Sequence, residues 1–162
     1  MITLKKITIT SNTLKECIAL NAPPAQEDYV FSNVMTLALA HDYNVQGIIC
    51  ECRAIYLGTT IIGLISYNYY PNDPNFKEPC YHIPAFMVDT NHINKGYEAM
   101  ALEELLAEIK TMPQGEASAI FATYHKEDKC MEALFKATAF TIVREDGDNI
   151  VLRMSSSPPQ PP

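Results

Sequence analysis

A basic surface is what this chain most clearly lacks. Its 162 residues carry 12 Lys and Arg against 19 Asp and Glu, a formal net charge of −7. Neutralising the phosphates of a nucleic-acid backbone needs the opposite balance, so direct binding to DNA or RNA is disfavoured. Long apolar runs are missing too: no segment approaches the roughly 20 residues that span a bilayer. The alternating stretch from Met1 to Thr10 has no signal-peptide core. A cytoplasmic protein with no membrane association is expected. Metal-ligand spacing is also absent. Cys17, Cys50, Cys52, Cys80 and Cys130 include a C-x-C pair but no C-x-x-C. His41, His82, His92 and His125 are scattered, with no two at helical ligand spacing. The cysteines read as small buried apolar residues, and no metal is expected.

What is present fits a globular domain with a real core: 48 % of residues are apolar, and the mean hydropathy is −0.05. The last eight residues, 155–162, read Ser-Ser-Ser-Pro-Pro-Gln-Pro-Pro. They have neither charge nor anything to bury, so a disordered tail is expected after a single domain over 1–154. Residues 1–80 hold five basic and seven acidic residues, and residues 81–154 hold seven and twelve. A cationic small molecule is better tolerated than an anionic one.

Periodicity predicts the elements. Residues 2–9 alternate as a strand. Ser11 or Asn12 can cap a short helix that runs to Leu20, before Pro23-Pro24. A longer helix is expected over 25–40, with Val30, Val34, Leu37 and Ala38 at helical spacing. Residues 48–57 and 61–69 read as strands joined at Gly58-Thr59, and 70–79 as a loop. Residues 80–89 form a strand interrupted by Pro84, which demands an edge or a bulge. The clearest helix is 96–110, with a stripe of Ala99, Leu102, Leu105, Leu106 and Ile109. A strand at 117–124, a helix at 127–137, and strands at 139–144 and 149–154 turning at Asp146-Gly147 complete the chain. The order β-α-α-β-β-β-α-β-α-β-β implies a mixed α+β domain around one central sheet.

Three strings carry a resemblance. They are Cys17-Ile-Ala-Leu-Asn-Ala-Pro-Pro-Ala-Gln-Glu-Asp-Tyr-Val-Phe-Ser-Asn33, Ile83-Pro-Ala-Phe-Met-Val-Asp89 followed by Asn94-Lys-Gly-Tyr97, and Leu134-Phe-Lys-Ala-Thr-Ala-Phe140. In this order they resemble the GNAT superfamily of acetyl-CoA-dependent N-acetyltransferases, and within it the bacterial spermidine/spermine acetyltransferase branch. The resemblance implies a seven-stranded mixed sheet with about four helices. It also implies a fourth strand that bulges and splays from the fifth, and acetyl-CoA as co-substrate. Main-chain groups of Met87, Val88 and Asp89 would pair with the pantetheine arm like an added strand. Asn94, Lys95, Gly96, Tyr97 and Glu98 would form the phosphate loop at a helix N-terminus, where free N–H groups and the helix dipole favour an anion. Asp128 falls where the family places an asparagine near the thiol.

The departures from the family pattern matter as much as the matches. Ile93 stands where the loop begins with Gln or Arg. Glu98 stands where a small residue lets the backbone approach the pyrophosphate, and its carboxylate either points to solvent or takes the anion's place. Phe135 replaces the tyrosine that usually protonates the departing thiolate, and Ala139 replaces a glycine. Acetyl transfer needs an unprotonated amine and a proton source for the thiolate. Tyr124 is the first candidate for a substitute donor, with Tyr97, after the loop glycine, as the second or as a packing residue, and His82 is the candidate base. Glu51 is a second candidate base, or a partner of Arg53 on the same strand. For a polyamine acceptor, Glu27 and Asp28 would supply the carboxylates, and Asp73 and Glu78 flank the loop at the opening. The expected function is N-acetyl transfer to an amine, a polyamine in the branch it resembles, by a protein that could also form a homodimer. The alternative is a catalytically weak or inactive GNAT-fold protein that binds a ligand or a protein partner.

Overall fold

Seven strands form one mixed sheet that organises the chain. The computed structural model describes residues 1–8 and 12–156. The elements run β1 (Ile2–Lys6), α1 (Thr13–Ile18), α2 (Asn33–Val45), β2 (Ile49–Leu57), β3 (Thr60–Tyr70), β4 (Cys80–Val88), a short 3-10 turn (Thr90–His92), α3 (Tyr97–Lys110), β5 (Ala119–His125), α4 (Lys129–Lys136), β6 (Thr141–Asp146) and β7 (Asn149–Ser155). The sheet order is β1-β2-β3-β4-β5-β7-β6. Only the β4–β5 pair is parallel; the others are antiparallel. This is the mixed α+β domain that the element order implied. Among the described residues, no helix is long and apolar enough to cross a membrane.

Helix α3 supplies most of the core on one face of the sheet. Ala101, Leu102, Leu105 and Ile109 are fully buried and pack with Ile65, Tyr67, Tyr81, Ile83 and Ile120. Spacings of three and four residues put them on one side of the helix, and each large apolar side chain buried there contributes about 1.5–3 kcal/mol. Arg53 ties this helix to β2: its guanidinium donates to Glu108 Oε1 at 3.1 Å and to Glu51 Oε2 at 2.8 Å. Arg53 and Glu51 therefore do pair.

Several boundaries differ from the sequence reading: β1 stops at Lys6 with residues 7 and 8 outside it, α1 stops at Ile18 short of Leu20, and β6 runs to Asp146 so that its hairpin turns at Gly147-Asp148. The helix expected over 25–40 begins at Asn33 and ends at Val45, while 24–29 form turns folded on Pro23. Ser32 starts the helix by accepting a hydrogen bond from the Met35 N–H at 3.2 Å. Its inward face is Asn33, Thr36 and Ala40, whereas Val34 is 54 % exposed. A polar contact decides this rotation: the buried Asn33 side chain donates from Nδ2 to the Cys17 carbonyl at 2.8 Å. At the start of α1, Asn12 adopts a left-handed conformation and makes no side-chain cap; Ser11 and the end of the first predicted strand at Ile9 fall outside the described residues. At the C-terminus the fold extends past residue 154. Ser155 ends β7, and buried Ser156 donates its N–H to the Ser118 carbonyl at 3.2 Å. Residues 157–162 of the expected tail lie outside the described residues.

The feature that shapes the site lies on β4. Its pairing with β3 shifts register between Ser66 and Asn68, so Ile83 and Pro84 together oppose Tyr67. Pro84 thus sits at a bulge, where its missing N–H costs no ladder bond. Pairing with β5 stops at Ile83↔Ala122, and residues 84–88 keep β3 as their only partner strand among the described residues. Gly63 lets β3 and β4 approach closely here, because a Cβ at that position would collide with the Met87 carbonyl oxygen.

Candidate functional site

Where β4 and β5 part, a cavity of about 370 Å³ opens through the sheet. Its walls are 82–87 of β4, 123–125 of β5, the segment 28–31, and Met131 and Phe135 of α4. Side chains alternate across a strand, so the gap is lined from both faces. Phe86 and Val88 point to the main core, while Met87 packs with Cys17 and Leu64 beneath α1.

The cavity brings together Tyr124, His82, Met87, Asp28, Asp128 and Phe135. Tyr124, nearly buried, stacks on Phe135 with ring centroids 5.8 Å apart. Burial raises its phenol pKa. Phe135, where the resemblance places a tyrosine, has no hydroxyl, and Tyr124 stands against its ring. His82 shares a 2.8 Å hydrogen bond with Thr123 Oγ1 and lies under Phe76, 5.2 Å between ring centroids. Burial, helped by the positive charge of Arg144, lowers its pKa to about 4. The imidazole is thus neutral at pH 7. Its basicity is too low for efficient proton abstraction, which works best with a pKa near the working pH. In this setting it can exchange hydrogen bonds rather than carry charge.

Asp128 is 1 % exposed. Its carboxylate caps α4 by accepting from the Met131 N–H at 3.1 Å, and both oxygens accept from Gln26 Nε2 at 3.2 and 3.3 Å. It therefore acts as a clasp between the turn at 24–29 and α4. Tyr29 closes the same seam by stacking on His125 at 4.7 Å. Neither contact carries a sequence signal, since Gln26 and Asp128 are 102 residues apart.

The remaining sequence candidates stand elsewhere. Asp89 is buried at the end of β4; it accepts from the Asn21 N–H at 2.9 Å and the Asn91 N–H at 3.2 Å. Glu27 is exposed and Ala139 lies on an exposed bend, both outside the cavity wall. Glu78 is held by Arg153, at 2.8 Å, and Asp73 accepts from the Asn75 N–H within its own loop. Glu51 is committed to Arg53.

The loop over 93–98 is not part of the cavity wall. Asn94 and Gly96 both have positive φ, 60° and 80°. Gly96 occupies the N-cap of α3 with no side chain capping that end, so N–H groups of the first turn have no intrahelical partner. Ile93 and Tyr97 pack against the main core. This gives Ile93 a structural reason: it anchors the loop from inside. Lys95 is exposed, and Glu98 is half-buried in the first turn of α3.

No protein-family model and no curated protein sequence matches the chain. Solved structures do. One is PaiA N-acetyltransferase from Thermoplasma acidophilum in complex with coenzyme A, 12 % identical, covering 96 % of this chain and 99 % of that one with a TM-score of 0.64. Another is the Campylobacter jejuni N-acetyltransferase PseH in complex with acetyl coenzyme A, 13 % identical over 97 % and 100 % of the chains, TM-score 0.62. A GNAT-family acetyltransferase from Bacillus cereus is 17 % identical over 96 % and 97 %, TM-score 0.57. The seven-stranded mixed sheet with its four helices thus belongs to a shared architecture, and this chain has the GNAT fold.

Proposed function

We propose that this protein is an acetyl-CoA-dependent N-acetyltransferase acting on an amine. The observation that carries the reading is the parted β4–β5 pair. It leaves one edge of 84–88 without a partner strand among the described residues, beside a cavity that holds a tyrosine. An extended pantetheine arm fits such an edge by adding hydrogen bonds as a strand would. The uncapped N-terminus of α3, from Gly96, fits its pyrophosphate. Met87, Val88 and Asp89 supply the edge, and 94–98 supply the loop. Acetyl-CoA would supply the activated acyl group. The amine nitrogen attacks the thioester carbonyl carbon, a C–N bond forms and the C–S bond breaks. Tyr124 gives its proton to the departing thiolate, and water takes the proton lost by the amine. His82 orders that water as a neutral hydrogen-bonding group, and Asp28 faces the acceptor. A homodimeric state and a cytoplasmic location belong to the same proposal, whereas the polyamine acceptor expected from the sequence is not carried into it, because the cavity wall offers only one available carboxylate.

A rival reading, ligand binding without turnover, rests on Glu98 in the loop and on Phe135 at the position of the usual acid. The test is a calorimetric titration with acetyl-CoA, paired with thiol release over a panel of amines. Binding with turnover, and a Tyr124→Phe variant that loses about 10–100-fold in kcat with little change in KM, is the expected result. Binding without turnover on any amine favours the rival. No binding at millimolar acetyl-CoA overturns both the cofactor and the enzyme.

A further inference from the structure

The cavity also bears on which amine it takes, provided the acetyl-transfer reading above holds. No Lys or Arg stands among its lining residues. Its two acids are not equivalent. Asp128 is buried and spent on Gln26 and the α4 N-terminus, whereas Asp28 is exposed and accepts no hydrogen bond among the described residues. The rest of the wall is mainly apolar and aromatic, with Tyr29, Phe31, Phe86, Tyr124 and Phe135 as its rings. Phe31 is 65 % exposed at the cavity wall, and Val34 and Met35 follow it, 54 % and 47 % exposed on the first turn of α2.

We propose that the acceptor is a monoamine with an apolar body and no carboxylate beside the amine. Three physical points carry this. An ammonium approaching the cavity meets one available carboxylate and several ring faces, both of which attract a cation. A second ammonium at the far end of a polyamine finds no further available acid among the lining residues, since Asp128 is already committed to Gln26 and the α4 N-terminus. An α-carboxylate would meet Asp28 at a wall that presents no Lys or Arg of its own, with Arg144 and Lys129 acting on His82 and Tyr124 only from outside it, and a charge taken from water without a direct partner is strongly disfavoured. The two histidines in the wall do not change this sign. His82 is uncharged at neutral pH, and His125 is engaged on both its face and its Nδ1, by Tyr29 and by the Glu127 N–H.

The test compares 2-phenylethylamine, phenylalaninamide, phenylalanine and spermidine as acceptors with acetyl-CoA, and measures their binding to the protein–acetyl-CoA mixture by calorimetry. Phenylethylamine is expected to exceed phenylalanine at least 100-fold in kcat/KM and spermidine at least tenfold. With rates referred to the unprotonated amine, phenylalaninamide should lie within tenfold of phenylethylamine, because it keeps the shape of phenylalanine without the carboxylate charge. Asp28→Asn should lower kcat/KM for phenylethylamine about tenfold, mainly through KM. Turnover of phenylalanine or spermidine within tenfold of phenylethylamine overturns the proposal and leaves N-acetyl transfer standing. Selective binding of phenylethylamine with no acetylation of any amine upholds the cavity's preference and overturns the enzyme reading. Absence of both binding and turnover for phenylethylamine overturns the proposal as well.

Discussion

Glu98 is the residue whose replacement tests the cofactor reading most sharply. It is the second residue of α3, half-buried, in the turn where a pyrophosphate would sit. It is also close enough to α4 to help raise the Cys130 thiol pKa. Two unit charges about 5 Å apart at an effective dielectric near 20 repel by about 3 kcal/mol. Partial solvation of the carboxylate reduces this to about 1 kcal/mol. The helix dipole pulls the other way in the free protein, favouring the carboxylate by about 0.3–1 kcal/mol. Glu98→Gln removes the charge and keeps the shape, whereas Glu98→Gly would also cost the helix about 1 kcal/mol. Two signatures follow. Acetyl-CoA binding should tighten about fivefold at low salt, the equivalent of about 1 kcal/mol. The variant's melting temperature should drop slightly, because the dipole loses its anion. Calorimetry at low and at roughly 0.5 M salt separates charge from shape, since screening shortens to a few ångströms and should close the gap. Equal affinities at low salt, or an advantage that salt leaves untouched, would refute the electrostatic account.

Other expectations are more local. Gly63→Ala places a methyl group against the Met87 carbonyl oxygen and should destabilise the fold by about 1–3 kcal/mol, read as a lower urea midpoint; an unchanged midpoint would show that β3 and β4 can part. His82 is held near pH 4 in the folded protein against an ordinary 6.5. The unfolded chain therefore takes up its proton first, and the stability from this group is complete above pH 6.5 and declines as pH falls toward 4. In His82→Gln that segment of the stability–pH curve should flatten, and a parallel decline in both proteins would remove His82 from the account. Burial raises the Cys17 and Cys80 thiols to about 12, while Cys130 is exposed. Maleimide at pH 8 should modify Cys130 and spare the other two in the native state, and mass mapping of the adducts checks this.

Much of the fold was legible in local pattern. The α3 helix with Leu102, Leu105 and Ile109 inward, the hairpin strands and the proline that signalled a bulge all depend on neighbours within a few residues, and the sequence carries that information directly; Ala99, expected in the stripe, is exposed, and Ala101 takes the buried place instead. The α2 region failed because its apolar spacing was real but did not decide burial. Asn33 bonding to the Cys17 carbonyl turns the helix so that Val34 faces out. That contact is tertiary, and periodicity cannot anticipate it. The candidate site divides the same way. The chemical departures, Phe135 for a tyrosine and Glu98 in the loop, are visible as letters. Asp128 is also a visible letter, but its sequestration by Gln26 is not.

By itself, then, the sequence determined the composition of the domain: an acidic chain, one sheet, the order of its elements, and which side chains were available for chemistry. Tertiary structure decided which of them meet. It placed Tyr124 against Phe135, took Asp128 out of reach, left Asp28 free, and opened a cavity without a single lysine or arginine. The reason is range. Helix and strand periods are read over a handful of residues. A cavity wall is assembled from segments around residues 28, 84, 124 and 135, and only the pairing and splaying of whole strands brings those together.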